Sequence, residues 1–224
     1  MPYSNDTTHF EVSSVATAPS FHPIFTYAWT KRAIDIAGAL ALGLLASPLL
    51  VALVLLIRTD GGTAFFSQQR LGCGGRVFRF WKLRTMVPDA ELALSRYLEE
   101  NAEAREEWNR TQKLRHDPRV TSLGRLLRKY SLDELPQLWN VLCGDMSLIG
   151  PRPMFVTQRE LYPGVLYGDV RPGITGLWQV TDRNQCSFAE RAQFDQTYAE
   201  RMSLGTDAWI ALRTVRAVFK GTGC

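Results

Sequence analysis

Between Arg32 and Arg58 the chain carries one charged residue, Asp35, and none over residues 36–57. That uncharged run is roughly 22 residues long, against about 20 needed to cross a bilayer. A core helix of a soluble protein is the alternative, but few are so long and so uniformly apolar. The flanks are basic on both sides: Lys31 and Arg32 before the run, then Arg58, Arg70, Arg76, Arg79, Lys82 and Arg84 after it. A single span cannot place both flanks on the same membrane face, as the positive-inside rule asks, whereas a re-entrant hairpin can. Ser47 and Pro48 stand near the midpoint. Proline removes a helical hydrogen bond there, and the serine hydroxyl can satisfy the carbonyl so freed. A straight but kinked span is the competing form. Asp35 lies four residues after Lys31, where an i,i+4 ion pair would ease its entry.

The remaining chain divides around this run. Residues 1–28 are rich in Ser, Thr and Pro without helical or strand period, and read as a mobile tail lacking the pattern of a secretory signal. Residues 29–58 are expected to form the membrane helix and residues 59–224 one folded domain, the part in which any catalytic chemistry would lie. Residues 64–70 and 76–84 read as two strands joined through the glycines of LGCGG, a β-hairpin. Residues 88–116 are charged and helix-favouring, with Glu side chains expected on a solvated face. Two helices are expected at the end, the last opposing Trp209, Ile210, Leu212, Val215, Val218 and Phe219 to Arg213, Arg216 and Lys220. Such a helix suits a membrane interface, or it packs on the domain.

A net charge of +4 favours an anionic partner. The four cysteines form no CxxC pair, so a disulfide framework or zinc site is not expected. Two of the three histidines fall in the tail, which leaves little support for histidine catalysis. A nucleic-acid-binding protein would use the charge but leave the apolar run unexplained, so no nucleic acid is expected.

Residues 117–153, DPRVTSLGRLLRKYSLDELPQLWNVLCGDMSLIGPRP, concentrate the chemistry. A basic helix of about three turns is expected, with Leu123, Leu126, Leu127 and Tyr130 near one face and Arg125, Arg128 and Lys129 on another. Ser131 and Glu134 have capping-box spacing, which predicts a second helix from Leu132 to about Cys143 with Asp133 and Glu134 in its first turn. Capping alone explains the acidic pair. Cations at Arg128, Lys129 and Arg152, however, give it the makings of a pyrophosphate cradle that would hold Asp133 ionised. An ionised Asp beside a phosphoanhydride can act as a nucleophile. Its neighbour can help hold Mg²⁺, which takes one or two carboxylates plus substrate phosphates.

The run SLDELPQLWNVLCGDMSLIGPRP resembles the signature of bacterial sugar transferases acting on polyprenyl phosphate, the monotopic phosphoglycosyl transferases. WKLRTM and RPGITGLWQV match further motifs, and the resemblance extends over residues 31–221. It implies an α+β monotopic membrane protein with a re-entrant N-terminal helix and a mostly helical catalytic domain carrying a small β-hairpin. The implied location is the bacterial inner membrane, with the domain on the cytoplasmic face. The implied reaction moves a sugar-1-phosphate from a UDP-sugar to polyprenyl (undecaprenyl) phosphate, through attack by Asp133 and with Mg²⁺ at Asp133 and Glu134.

Arg128 and Arg152 would hold phosphate oxygens or nucleotide. Lys82 and Arg84 are further phosphate-binding candidates, or interfacial cations touching lipid headgroups. RPGITGLWQV would shape a sugar or uridine pocket, or form a packed turn and strand. Asp182 departs from the usual glycine of the family and puts the following loop in doubt. The ending SLGTDAWIALRTVRAVFKGTG points toward galactose or glucose, with N-acetylated amino sugars open. So is self-association into a homo-oligomer. The alternative class is a non-catalytic membrane scaffold in polysaccharide assembly.

Overall fold

A computed structural model describes residues 24–111, 114–160, 162, 170–181 and 188–221 of the chain. Residues 1–23 of the expected tail, and Asp182, lie outside the described residues. Helix α1 (Ile24–Ile57) already includes residues 24–28, which the tail was expected to hold. It continues unbroken through Ser47 and Pro48, where a break in a re-entrant helix was expected. Pro48 has no N–H for the Leu44 carbonyl, and the Ser47 hydroxyl donates to that oxygen instead, at 2.8 Å.

A 3₁₀ turn at Arg58–Asp60 leads into the hairpin. Strands β1 (Phe65–Leu71) and β2 (Val77–Leu83) pair antiparallel from Phe65 opposite Leu83 to Leu71 opposite Val77. Gly74 and Gly75 supply the left-handed backbone of the connection, with φ of 68° and 73°. Strand β2 is the centre of the core. Phe78 and Phe80 pack with Ala39 of α1, Val141 and Met146, while Leu83 packs with Leu53 and Ile57 of α1, Ala64 and Leu127.

Helices α2 (Ala90–Glu100) and α3 (Ala102–Thr111) follow. Next comes α4 (Ser122–Lys129), shorter than the three turns expected and capped by the Thr121 hydroxyl on the Gly124 N–H at 2.9 Å. The expected capping box does not form. Ser131 adopts a left-handed φ of 56°, Leu132–Glu134 is a separate 3₁₀ turn, and Pro136 starts a short α5 (Gln137–Cys143). Proline at the start of α5 fits a fresh helix because its missing N–H would have no partner there.

Strand β3 (Ser147–Ile149) pairs in parallel with β4 (Gly173–Thr175), a second small sheet that the sequence did not suggest. RPGITGLWQV thus folds as a packed strand and a one-turn helix, α6 (Leu177–Val180). A Cβ on Gly150, Gly173 or Gly176 would fall within 2.4 Å of backbone atoms, so these glycines permit close chain crossing. Helices α7 (Phe188–Glu200) and α8 (Leu204–Lys220) complete the fold, with Leu212, Val215 and Phe219 of α8 exposed and Ile210 buried.

The expected Lys31–Asp35 pair is replaced by longer-range partners. Lys31 binds Asp207 of α8 at 2.8 Å, and Asp35 is buried, accepting from the Ser147 hydroxyl and the Leu148 N–H at 3.0 Å each. Arg32 donates to the Val141 and Leu142 carbonyls at the end of α5, at 2.7 and 3.1 Å. A buried carboxylate or guanidinium is tolerable only with such partners.

Candidate active site

Two consecutive carboxylates in the turn between α4 and α5 form the centre. Phe78, Phe80 and Lys82 alternate onto one face of β2, bringing the Lys82 ammonium between the pair. It lies 3.2 Å from Asp133 Oδ2 and 2.9 Å from Glu134 Oε1. Arg152, from the Pro-Arg-Pro loop after β3, approaches Glu134 Oε1 at 3.5 Å. Asp133 itself is only 6% exposed.

Arg128 reaches the same centre from α4. Its Nε donates to the Thr85 hydroxyl at 3.0 Å, and its charge acts on Asp133. Burial pushes the Asp133 carboxyl above the ordinary carboxylate range. Lys82 opposes that rise, Glu134 adds to it, and Arg128 opposes it. The cations oppose the effect of burial on Asp133 without cancelling it.

The structure therefore brings together Lys82, Arg128, Asp133, Glu134 and Arg152. Arg84 goes elsewhere. Its guanidinium binds Asp60 at 2.5 and 2.8 Å and the backbone oxygens of Ile57, Thr63 and Met86, clasping the end of α1 to β2. Arg125 turns back to the Val120 carbonyl and Ser122, and Lys129 lies over the Tyr130 ring.

Two residues that sequence reasoning passed over shape the centre. Thr85, buried in the LRTM motif, orients Arg128. Asn140, buried on α5, accepts from the Trp81 N–H at 3.2 Å and donates to the Arg79 carbonyl at 2.8 Å, so its amide holds the edge of β2 beside Lys82. Two amides one turn apart on the buried face of α5, Gln137 and Asn140, were the available signal.

No group of three or more His, Cys, Asp or Glu stands together among the described residues. The donor set fits Mg²⁺ of the kind shared with a substrate: two hard carboxylates, and the other positions left to phosphate oxygens and water. It does not resemble a closed protein cage.

An acidic pair with Asp133 buried thus stands among three cations, and the comparisons with known proteins give the class of the chain. The family described as "Bacterial sugar transferase" matches residues 26–221. The chain belongs to that family and is a transferase. It is 42% identical over 217 residues to the exopolysaccharide production protein ExoY of Rhizobium meliloti, covering 93% of this chain and 96% of that protein. It is 43% identical to a UDP-galactose-lipid carrier transferase of Erwinia amylovora over 86% of this chain. It is 42% identical to an undecaprenyl-phosphate galactose phosphotransferase of Salmonella typhimurium, again over 86% of this chain. The matched region spans 41% of the length of each of these last two relatives, and nearly all of ExoY.

Proposed function

We propose that this chain is a phosphoglycosyl transferase that moves a sugar-1-phosphate from a UDP-sugar to undecaprenyl phosphate, an early membrane step of exopolysaccharide assembly. The observation that carries the reading is the Asp133–Glu134 pair, Asp133 buried and Glu134 partly so, gripped by one ammonium and approached by two guanidinium groups. The capping explanation loses its support because Ser131 makes no side-chain cap and the α-helix begins only at Gln137. A scaffold with a degenerate site would have no reason to keep the cost of burying this pair.

The chemistry follows from the placement. An Asp133 oxygen attacks the β-phosphorus, the bond from that phosphorus to the bridging oxygen breaks, and UMP leaves with that oxygen. An oxygen of the lipid phosphate then attacks the same phosphorus, the aspartyl bond breaks, and the carboxylate returns. Arg152 and Arg128 bind phosphate oxygens, and Lys82 favours the ionised form of Asp133. Glu134 would hold Mg²⁺ together with Asp133, and the metal would offset charge on the diphosphate. The Erwinia and Salmonella relatives, named for UDP-galactose and for galactose phosphate transfer, favour UDP-galactose. A relative at 37% identity is named for N-acetylgalactosamine transfer, which keeps an N-acetylated amino sugar as the second reading.

The membrane assignment rests on α1, whose residues between Ala39 and Leu53 are mostly exposed and apolar. The lipid acceptor must be met at its headgroup, so a re-entrant α1 at the cytoplasmic face of the inner membrane suits the reaction.

The test uses the full chain in lipid nanodiscs with Mg²⁺ and a panel of UDP-sugars. UMP should appear before any lipid phosphate is added, approaching one per active enzyme, and steady-state kinetics should be ping-pong. The peptide containing Asp133 should gain the mass of a sugar phosphate, and Asp133→Asn should abolish both burst and turnover. Intersecting kinetics, with no burst and no labelled peptide from active enzyme, would sink the covalent route.

A further inference from the structure

The Pro-Arg-Pro loop presents three consecutive carbonyls, and each is held from outside the loop. The Arg152 carbonyl accepts from the Arg191 guanidinium of α7. The Pro153 carbonyl accepts from Arg70 of β1 at 3.4 Å, and that of Met154 from the Leu71 N–H at 3.0 Å. Arg70 also covers the Phe155 ring, 3.4 Å from its centroid. The loop cannot drift without breaking two part-buried arginine contacts and one backbone hydrogen bond.

Arg191 is the informative member. It is only 6% exposed, and burying a guanidinium is costly unless its geometry is fixed by partners. Those partners are present. Asp195 lies one turn further along α7 at 3.6 Å, and the Trp178 ring is 5.4 Å away. Asp195 in turn accepts from the Tyr162 hydroxyl at 2.8 Å. Burial pushes the Asp195 carboxyl up to about 6, while the Arg191 charge and the Tyr162 hydroxyl act to lower it. A planar fork braced in this way delivers an N–H in one direction, toward the Arg152 carbonyl.

We propose that Arg191 is a positioning residue for sugar-phosphate transfer: by holding the Arg152 carbonyl it sets where the Arg152 guanidinium meets Glu134 and the nucleotide-sugar diphosphate. This rests on the reading of Arg152 as a diphosphate contact given above.

The experiment is a double-mutant cycle in nanodiscs, at a pH well above 6, with UDP-sugar and lipid phosphate varied separately. Arg152→Ala alone should lower kcat/KM for the UDP-sugar by about 10- to 150-fold, the value of a charge-assisted contact. If it has no effect, the reading of Arg152 fails before Arg191 is touched, and the proposal falls with it. Arg191→Met should raise KM for the UDP-sugar by about 10-fold and leave KM for lipid phosphate in place. In the Arg152→Ala background it should add nothing, and Arg191→Lys should restore most of the loss. A merely structural Arg191 predicts the same fractional loss in both backgrounds, and that result overturns the proposal, as does an inert Arg191→Met beside a damaging Arg152→Ala. Should Arg191→Met not fold, Arg191→Lys and Asp195→Asn enter the same cycle, with the same non-additivity expected and full additivity counting against it.

Discussion

One ammonium group decides how the carboxylate pair can be used. Lys82 touches both Asp133 and Glu134, and it is the strongest influence opposing the effect of burial on Asp133. A nucleophilic Asp133 must be deprotonated, so the acid limb of kcat/KM for the UDP-sugar should report its free-enzyme ionisation. Because burial raises that ionisation, the limb should lie above the ordinary carboxylate value of about 3.9. The sign for Lys82→Met follows. Removing a cation that lowers the Asp133 pKa must move the limb to higher pH, and activity at neutral pH should fall by about 10-fold or more. A pH–rate series on the two proteins checks this. A limb that moves to lower pH in the variant would show that Lys82 does not govern Asp133.

At the scale of elements, the site depends on how closely α4 can approach the end of β2. A Cβ on Gly124 would lie 2.0 Å from the Thr85 carbonyl oxygen, which is backbone and cannot swing away. Gly124→Ala should therefore destabilise by about 1–3 kcal/mol as overpacking does. For a chain of this size that is a loss of roughly 2–12 °C in Tm. Thermal unfolding in detergent measures it, and an unchanged Tm would mean that α4 is loosely seated. The elements also separate what the sequence reveals from what it hides. The hairpin was legible because two apolar runs flank the glycines of LGCGG, and the acidic pair because three basic residues and a Pro-Arg-Pro flank it. The capping box was misread because Ser131 takes a left-handed backbone and Pro136 restarts the helix, which four-residue spacing does not encode. The β3–β4 pairing was hidden because each strand has three residues and their contact depends on glycines far apart in the chain. The destinations of Lys31, Asp35 and Arg84 were hidden for a related reason: local spacing suggests local partners, and theirs are set by the fold.

At the scale of the whole molecule, both ends of α1 are fastened to one body. Lys31 holds Asp207, Arg32 holds the end of α5 and Asp35 holds β3, while Leu53 and Ile57 join the cluster around Leu83 and Arg84 clasps the Ile57 carbonyl. The basic flanks on both sides predict that the two ends of α1 meet the same, cytoplasmic, membrane face. Because α1 runs unbroken in the structure, the bend at Pro48 that this topology needs is what the following experiment reads. Cysteines placed singly at Thr30 and Thr59, in a background without the native four, should react with an impermeant maleimide only after the inner face is exposed. Pro48→Ala restores an N–H for the Leu44 carbonyl and removes the bias to bend, so a fraction of molecules should move one site outward and lose activity with it. Labelling of either wild-type-helix site from outside intact cells would show that α1 spans the bilayer.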